Sequence, residues 1–155
     1  MGAAGAGKTT VGERLAEALE VSFFDADDHH SAEAVAKMAA GEPLDDTDRG
    51  PWLGRLNALL RGAAARGAGA VLACSALKAS YRRELARNLP SLRFVYLRAD
   101  PQLLRRRLAE RRDHYMKVEM LESQLAALEE PGAEAVTVDA TGSPGSIVSR
   151  ILSRL

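Results

Sequence analysis

Apolar positions follow two alternating patterns along the chain, one helical and one extended. Val11, Leu15 and Leu19 recur every four residues, which predicts a helix over residues 9–20. The apolar run that follows directly, at residues 21–24, predicts a short strand. The alternation continues, with helices predicted at residues 31–40, 51–60 (Pro51 in the first turn), 79–88, 103–108, 120–128 and 147–155, and strands at residues 70–74, 94–97 and 135–139.

Strands that alternate with helices predict an α/β domain with a parallel sheet covered by helices on its faces. The length of 155 residues suits a single domain over residues 1–155, and the chain shows neither internal repeats nor a low-complexity linker. Ligands of such sheets bind at the carboxyl ends of the strands. Polar clusters at residues 25–27 and 75–78 come just after two of the predicted strands.

Composition narrows the classes of function. The net charge is zero, which argues against general binding to nucleic acid or to a membrane surface. Cys74 is the single cysteine, so an internal disulfide is excluded and a reducing cytoplasm is the expected location. The sequence contains no apolar run long enough for a transmembrane helix, and its glycine-rich start does not resemble a signal peptide.

The strongest motif is GAAGAGKT at residues 2–9, which matches the phosphate-binding loop pattern G-x-x-x-x-G-K-[ST]. Glycines let backbone N–H groups wrap a phosphate, and the following helix directs its positive dipole end at the same place. We expect Lys8 to neutralise phosphate charge and the Thr9 hydroxyl to ligate Mg²⁺. The alternative interpretation is a flexible glycine-rich tail.

A phosphate loop normally follows a buried strand, but only Met1 precedes Gly2 here. The first strand of the sheet is therefore expected to be missing from this chain, which would leave two inner strand edges unpaired. One interpretation takes Met1 as an internal methionine with the strand upstream. The other is a fragment with impaired folding.

Two further segments carry candidate chemistry. Asp25 and Asp27 can point the same way beyond a strand end, so that one holds a metal through water while the other accepts a hydroxyl proton. The alternative is a solvated acidic turn. Arg49, in the segment at residues 41–53, can clamp a carboxylate, although this segment taken alone fits a surface loop leading into a capped helix better.

In combination, these segments resemble the gluconokinase family of short P-loop carbohydrate kinases. The resemblance covers essentially the whole chain and rests on GAAGAGKT (2–9), DADDHH (25–30), GEPLDDTDRGPWL (41–53), CSALKASYR (74–82), RLAERRDHYM (107–116) and ESQLAALEEP (122–131). It implies a P-loop NTPase, nucleoside-monophosphate-kinase-like fold, a three-layer α/β/α domain with a mobile lid near residues 107–118. It also implies transfer of phosphate from ATP to the 6-hydroxyl of D-gluconate, giving 6-phospho-D-gluconate and ADP, and a homodimer.

The resemblance assigns roles to individual residues. Those implied to bind the nucleotide are Gly2, Gly5, Ala6, Gly7, Lys8, Thr9, Thr10, Arg107 and Arg111, with Thr9 and Asp25 at the Mg²⁺ ion. Those implied to contact the substrate are Asp27, His30, Arg49, Lys78, Arg82, His114 and Gln124. Lys8, Asp27 and Arg111 are the implied catalytic residues. The loop at residues 141–144 is a weak candidate for a wall of the adenine pocket.

Two alternative functions stay open, and one residue differs from the pattern of the family. A kinase for shikimate or another small hydroxy acid would use a similar arginine clamp. A truncated, inactive nucleotide-binding remnant is the non-enzymatic alternative, motivated by the missing strand. Asp113 stands where the family commonly has glycine, which adds negative charge to the lid.

Overall fold

A computed structural model describes residues 1–110 and 118–155, in which two pairs of parallel strands form the centre. Strand β1 (Ser22–Asp25) pairs with β2 (Ala70–Ala73), and β3 (Phe94–Arg98) pairs with β4 (Ala135–Asp139). The four strands lie where the sequence predicts them, because each is a short apolar run between helical segments. The helices are α1 (Lys8–Leu19), α2 (Ala32–Ala39), α3 (Asp46–Ala65), α4 (Ala79–Ala86), α5 (Pro101–Ala109), α6 (Val118–Ala127) and α7 (Pro144–Leu152).

Helix α3 begins earlier than the apolar pattern predicts. The prediction that Pro51 lies in the first turn is wrong, because the helix already starts at Asp46. Asp45 and Asp48 form a reciprocal capping box that satisfies N–H groups at this end of the helix. This cap fixes a polar first turn ahead of the apolar face, which buries Trp52 and Leu56.

Two clusters of buried side chains hold the helices against the strands. One joins the start of the chain to α1, α5, α6 and α7, and the other joins α3 and α4 to the turn after β1. Among the described residues, no helix is both long and apolar enough to cross a membrane. Ala3, Ala4 and Ala6 of the phosphate loop belong to the first of these clusters.

Strands β2 and β3 face each other across a groove and do not pair. Met1 enters this groove at one end, where its amino group donates to the carbonyl of Val95 and its carbonyl accepts from the N–H of Leu97 at 2.9 Å. On the other side, the N–H of Gly2 donates to the carbonyl of Ser75 at 3.1 Å. Met1 and Gly2 thus make the hydrogen bonds of a parallel strand between the two pairs.

The rest of the groove is an apolar cavity of about 410 Å³, whose lining includes Val71, Leu72, Val95, Ile151 and Leu155. Within the described part of the chain, the inner edges of β2 and β3 have no neighbouring strand apart from Met1 and Gly2. This matches the unpaired inner edges that the sequence predicts. Backbone groups on such edges lack the partners that a sheet provides.

Burial also affects the charge of the Met1 amine. Desolvation, followed by the nearby charge of Lys8, lowers the pKa of this group from 8.0 to about 5. Between those pH values the unfolded chain holds a proton on the amine that the folded chain lacks. The free energy of unfolding is therefore expected to rise with pH over this interval, by up to about 4 kcal/mol.

Adding a short Val/Ile-rich segment before Met1 tests both features of the groove. We expect the melting temperature to exceed that of a chain with an equally long Gly/Ser extension by about 5 °C or more, since the strand fills the groove and pairs both edges. The extension also turns the amine into an amide, which removes its part of the pH dependence. Thermal unfolding at several pH values measures both effects, and equal melting temperatures for the two extensions would contradict the assignment of the groove.

Candidate active site

The phosphate loop connects Met1 to helix α1 through two tight backbone turns. Gly2 has a φ of 141° and passes so close to β3 that a Cβ would lie 2.9 Å from the carbonyl oxygen of Leu97. Gly5 has a φ of 82°, and a Cβ there would lie 3.0 Å from the carbonyl oxygen of Leu104. Gly7 is the N-cap of α1, and no side chain caps the first turn of this helix. Its N–H groups are thus left for an anion such as a phosphate.

Lys8, Thr9 and Asp25 meet at the start of α1. The Lys8 ammonium donates to the carbonyl of Ala3 at 3.1 Å, across the loop. The Thr9 hydroxyl donates to Oδ2 of Asp25 at 2.8 Å, and Oδ1 of the same carboxylate accepts from the N–H of Asp27 at 3.1 Å. A hydroxyl and a carboxylate are hard oxygen donors, which fit Mg²⁺. Within residues 1–110 and 118–155, no group of three or more His, Cys, Asp or Glu side chains could hold a metal by themselves.

A second cavity, of about 350 Å³, opens beside the phosphate loop. Its lining joins the loop to Thr10, Arg107, Gly142 and Pro144, so the predicted wall of the adenine pocket lies beside the predicted phosphate site. The Arg107 guanidinium donates to the carbonyls of Gly5 at 3.3 Å and Ala140 at 3.0 Å. Arg107 therefore bridges the phosphate loop and the end of β4.

Gln124 lies against the phosphate loop. Its side-chain carbonyl accepts from the N–H of Ala4 at 2.8 Å, which ties α6 to the loop. The sequence predicts Gln124 as a substrate residue, and the contact seen here is with the loop that surrounds a phosphate.

The acidic residues after β1 form an ordered turn. Residues Ala26–His29 make a short 3₁₀ helix capped by the side chain of Asp25. Helix α3 holds this turn from below, because Trp52 Nε1–H donates to the carbonyl of Ala26 at 2.8 Å and Arg55 donates to that of His29 at 3.3 Å. Asp27 stands on this turn with 57% of its side chain exposed. The backbone of this turn is thus held in place, and the Asp27 carboxylate is open to a ligand.

His30 is buried beside Asp27. Its ring stacks on Trp52 with centroids 4.5 Å apart, and its Nε2 lies 4.0 Å from Oδ1 of Asp27. Desolvation lowers the pKa of His30, against an opposing contribution from Asp27 and with further lowering from Arg49. The ring is therefore neutral near pH 7, and the contact with Asp27 is not an ion pair there. Among the described residues, Nδ1 of His30 has no hydrogen-bond partner although it is buried.

A second polar group lies on α3 and α4. The Lys78 ammonium bonds both carboxylate oxygens of Asp46, at 2.7 and 2.8 Å, and the Tyr81 hydroxyl donates to the same carboxylate. The Arg49 guanidinium lies over the Tyr81 ring, 5.8 Å from its centroid. The hydrogen bonds from Lys78 and then Tyr81 hold the pKa of Asp46 below its ordinary value, and the bond to Asp46 raises the pKa of Lys78. Arg49 and Lys78, both predicted to bind substrate, thus meet on one aromatic ring.

Arg82 occupies a different environment from these two cations. It is 4% exposed, and its guanidinium donates to the carbonyls of Ala76, Leu77 and Glu129 at 3.0 to 3.3 Å. A further contact of 3.3 Å reaches the Glu134 carboxylate. These bonds join α4 to the segment after α6, so Arg82 supports the site from within. Arg111, Asp113 and His114 lie outside the described residues.

Two contributors to the site escape the sequence analysis. Asp46 belongs to a run of aspartates that is typical of a solvated surface loop, and only its distance from Lys78 and Tyr81 reveals a different role. The bond from Trp52 to Ala26 is also hidden, since an aromatic residue at helical spacing predicts core packing. The spacing of Asp45 and Asp48, which is that of a capping box, could have revealed the position of Asp46, because the box determines where the first turn of α3 begins.

Comparison with known proteins agrees with this geometry. A family model described as an AAA domain matches residues 1–131. The thermoresistant gluconokinase of Escherichia coli (strain K12) is 40% identical over 138 residues, which are 89% of this chain and 79% of that protein. A solved gluconokinase from Sinorhizobium meliloti 1021 is 38% identical with a TM-score of 0.87, covering 99% of this chain and 87% of that one.

A sugar kinase from Janibacter sp. HTCC2649, solved without ligand, has a TM-score of 0.91 and 35% identity, and the match covers 99% of this chain and 90% of that one. Matches of this identity and coverage, together with a phosphate loop that opens onto an acidic turn and a pair of cations, identify the family. The chain belongs to the gluconokinase family of P-loop kinases.

Proposed function

We propose that the protein transfers the γ-phosphoryl group of ATP to the 6-hydroxyl of D-gluconate, giving 6-phospho-D-gluconate and ADP. The observation that carries the proposal is the continuity of the polar residues. Thr9 donates a hydrogen bond to Asp25, and Asp25 caps the turn that carries Asp27. His30 lies beside Asp27 and is close enough to Arg49 to be affected by its charge. Arg49 and Lys78 both lie at the ring of Tyr81. This order suits phosphate, acceptor hydroxyl and sugar-acid carboxylate in turn.

The phosphate loop and its neighbours bind and orient the nucleotide. Residues Gly2, Gly5, Ala6, Gly7 and Thr10 surround the phosphates, Lys8 neutralises their charge, and Arg107 closes the side next to α5. Thr9 and Asp25 would hold a Mg²⁺ ion, which when bound would stabilise the negative charge of the phosphoryl oxygens. Arg111, in the lid, adds a second guanidinium to the same charge. The loop at residues 141–144 borders the adenine.

Asp27 orients the acceptor and takes its proton. The carboxylate is exposed on a turn that α3 and Asp25 hold in place, so it can receive the proton of a hydroxyl positioned for in-line attack. His30 stays neutral beside Asp27 and, through its stacking on Trp52, forms part of the wall next to the acceptor. Arg49 and Lys78 bind the carboxylate at the far end of the sugar acid, and His114 meets the substrate when the lid closes and excludes water.

Other predictions from the resemblance belong to this proposal. A homodimer and a cytoplasmic location fit a small-molecule kinase of this family. Gln124 and Arg82 act through the geometry of the site, since the first holds the phosphate loop and the second braces α4.

Substitution of Asp27 tests the catalytic assignment. We expect Asp27→Asn to lower kcat for gluconate about 100-fold or more, because the acceptor loses its proton acceptor, while the affinity for Mg-ATP changes little. ADP release with D-gluconate, with shikimate and without acceptor provides the measurement. Asp28→Asn is the matched control, since Asp28 is an exposed acid on the same turn. Turnover of Asp27→Asn equal to that of the control would refute the assigned role.

Lys78 and Arg82 are expected to respond differently to replacement by methionine. Lys78→Met should raise KM for gluconate about tenfold or more with a small change in melting temperature, because a cation of the pocket is lost. Arg82→Met should lower the free energy of unfolding by about 3 kcal/mol, since three carbonyls lose their donor. Steady-state kinetics and denaturant unfolding distinguish the two, and a purely kinetic effect at Arg82 would argue against its bracing role.

A further inference from the structure

The pocket proposed for the sugar-acid carboxylate already contains an anion of its own. The Asp46 carboxylate accepts both hydrogen bonds from the Lys78 ammonium and a third from the Tyr81 hydroxyl. The Tyr81 ring underneath is 8% exposed, and the Lys78 ammonium lies 5.4 Å from its centroid. Asp46 itself keeps 65% of its side chain exposed. The carboxylate thus lies on the open side of the cluster, where a ligand would approach.

The charged side chains of Arg49, Lys78 and Asp46 carry a net charge of one positive unit. Arg49 and Lys78 contribute two positive charges, and Asp46 removes one of them. The next acid on the same turn, Asp48, does not change this balance because it pairs with Lys37 at 2.6 Å. One net positive charge therefore faces a bound acid, which matches a ligand that carries a single carboxylate.

We propose that Asp46 determines the charge selectivity of this pocket: by pairing with Lys78 it leaves one net positive charge, which favours an acid with one carboxylate over an acid with two. The inference rests on the proposed function and names a specificity residue for it. Selectivity of this kind comes from repulsion of the wrong ligand, since a second carboxylate meets Asp46 without a spare cation. Asp46 also orders the Lys78 ammonium and the Tyr81 hydroxyl before a ligand arrives.

Three ligands with the same carbon skeleton separate the effect of charge from that of shape. D-glucitol is neutral, D-gluconate carries one negative charge, and D-glucarate carries two. Trp52 is the single tryptophan of the chain and stacks on His30 within the site, so its fluorescence reports binding without turnover. Dissociation constants are measured for the wild-type chain, for Asp46→Asn and for the charge-conserving control Asp46→Glu.

The expected result is a change that grows with the charge of the ligand. A unit charge at this range contributes about 1 kcal/mol, which corresponds to about fivefold in affinity. Asp46→Asn should therefore lower the dissociation constant of gluconate about fivefold and that of glucarate about tenfold or more. The dissociation constant of glucitol should change by less than about twofold. Asp46→Glu keeps the charge and should retain the wild-type order of affinities.

Three other outcomes separate failure of this inference from failure of the proposed function. If wild-type protein binds gluconate but Asp46→Asn shifts all three ligands equally, Asp46 is only structural and the inference is overturned. If wild-type protein binds glucarate as tightly as gluconate, the selectivity itself does not exist. If the wild-type chain binds none of the three ligands, the proposed function fails and the inference fails with it.

Discussion

The site depends on two residues of backbone that link the two pairs of strands. Met1 bonds β3 through its amine and carbonyl, and Gly2 bonds the end of β2 through its N–H. The phosphate loop leaves directly from this link. The acidic turn and the cation pair follow β1 and β2, whereas Arg107 and the loop at residues 141–144 lie with the other pair. The position of nucleotide relative to acceptor is therefore set where Met1 and Gly2 join the two halves.

This link has an energetic cost that the rest of the fold offsets. The groove beside it leaves strand edges without partners, and the Met1 amine loses its charge through burial. Packing of α1 against β1 and β2 on one side and against α7 on the other holds the halves in place. Within the site, specific bonds supply the remaining order: Gln124 fixes the loop, Trp52 fixes the acidic turn, and Arg82 braces α4.

The sequence predicts the parts of this molecule that local patterns encode. The phosphate loop follows from a motif, and the strand ends that carry Asp25 and Asp27 follow from apolar periodicity. Residue type could not distinguish Lys78 from Arg82, because a cation at a strand end looks the same whether it faces solvent or a set of buried carbonyls. The role of Asp46 was missed because it depends on contacts with Lys78 and Tyr81, which are distant in sequence. The start of α3 was missed because a capping box of polar residues, and not the apolar pattern, determines it.

The most direct test of this account identifies the product. Phosphorus NMR of the purified chain with Mg-ATP and D-gluconate distinguishes transfer to an alcohol from transfer to water. The account predicts a new phosphate monoester, formed in equal amount with ADP and coupled to the two protons of a methylene carbon, as expected for the 6-position. Formation of inorganic phosphate with ADP, or no consumption of ATP, would contradict the claim that this arrangement of residues phosphorylates gluconate.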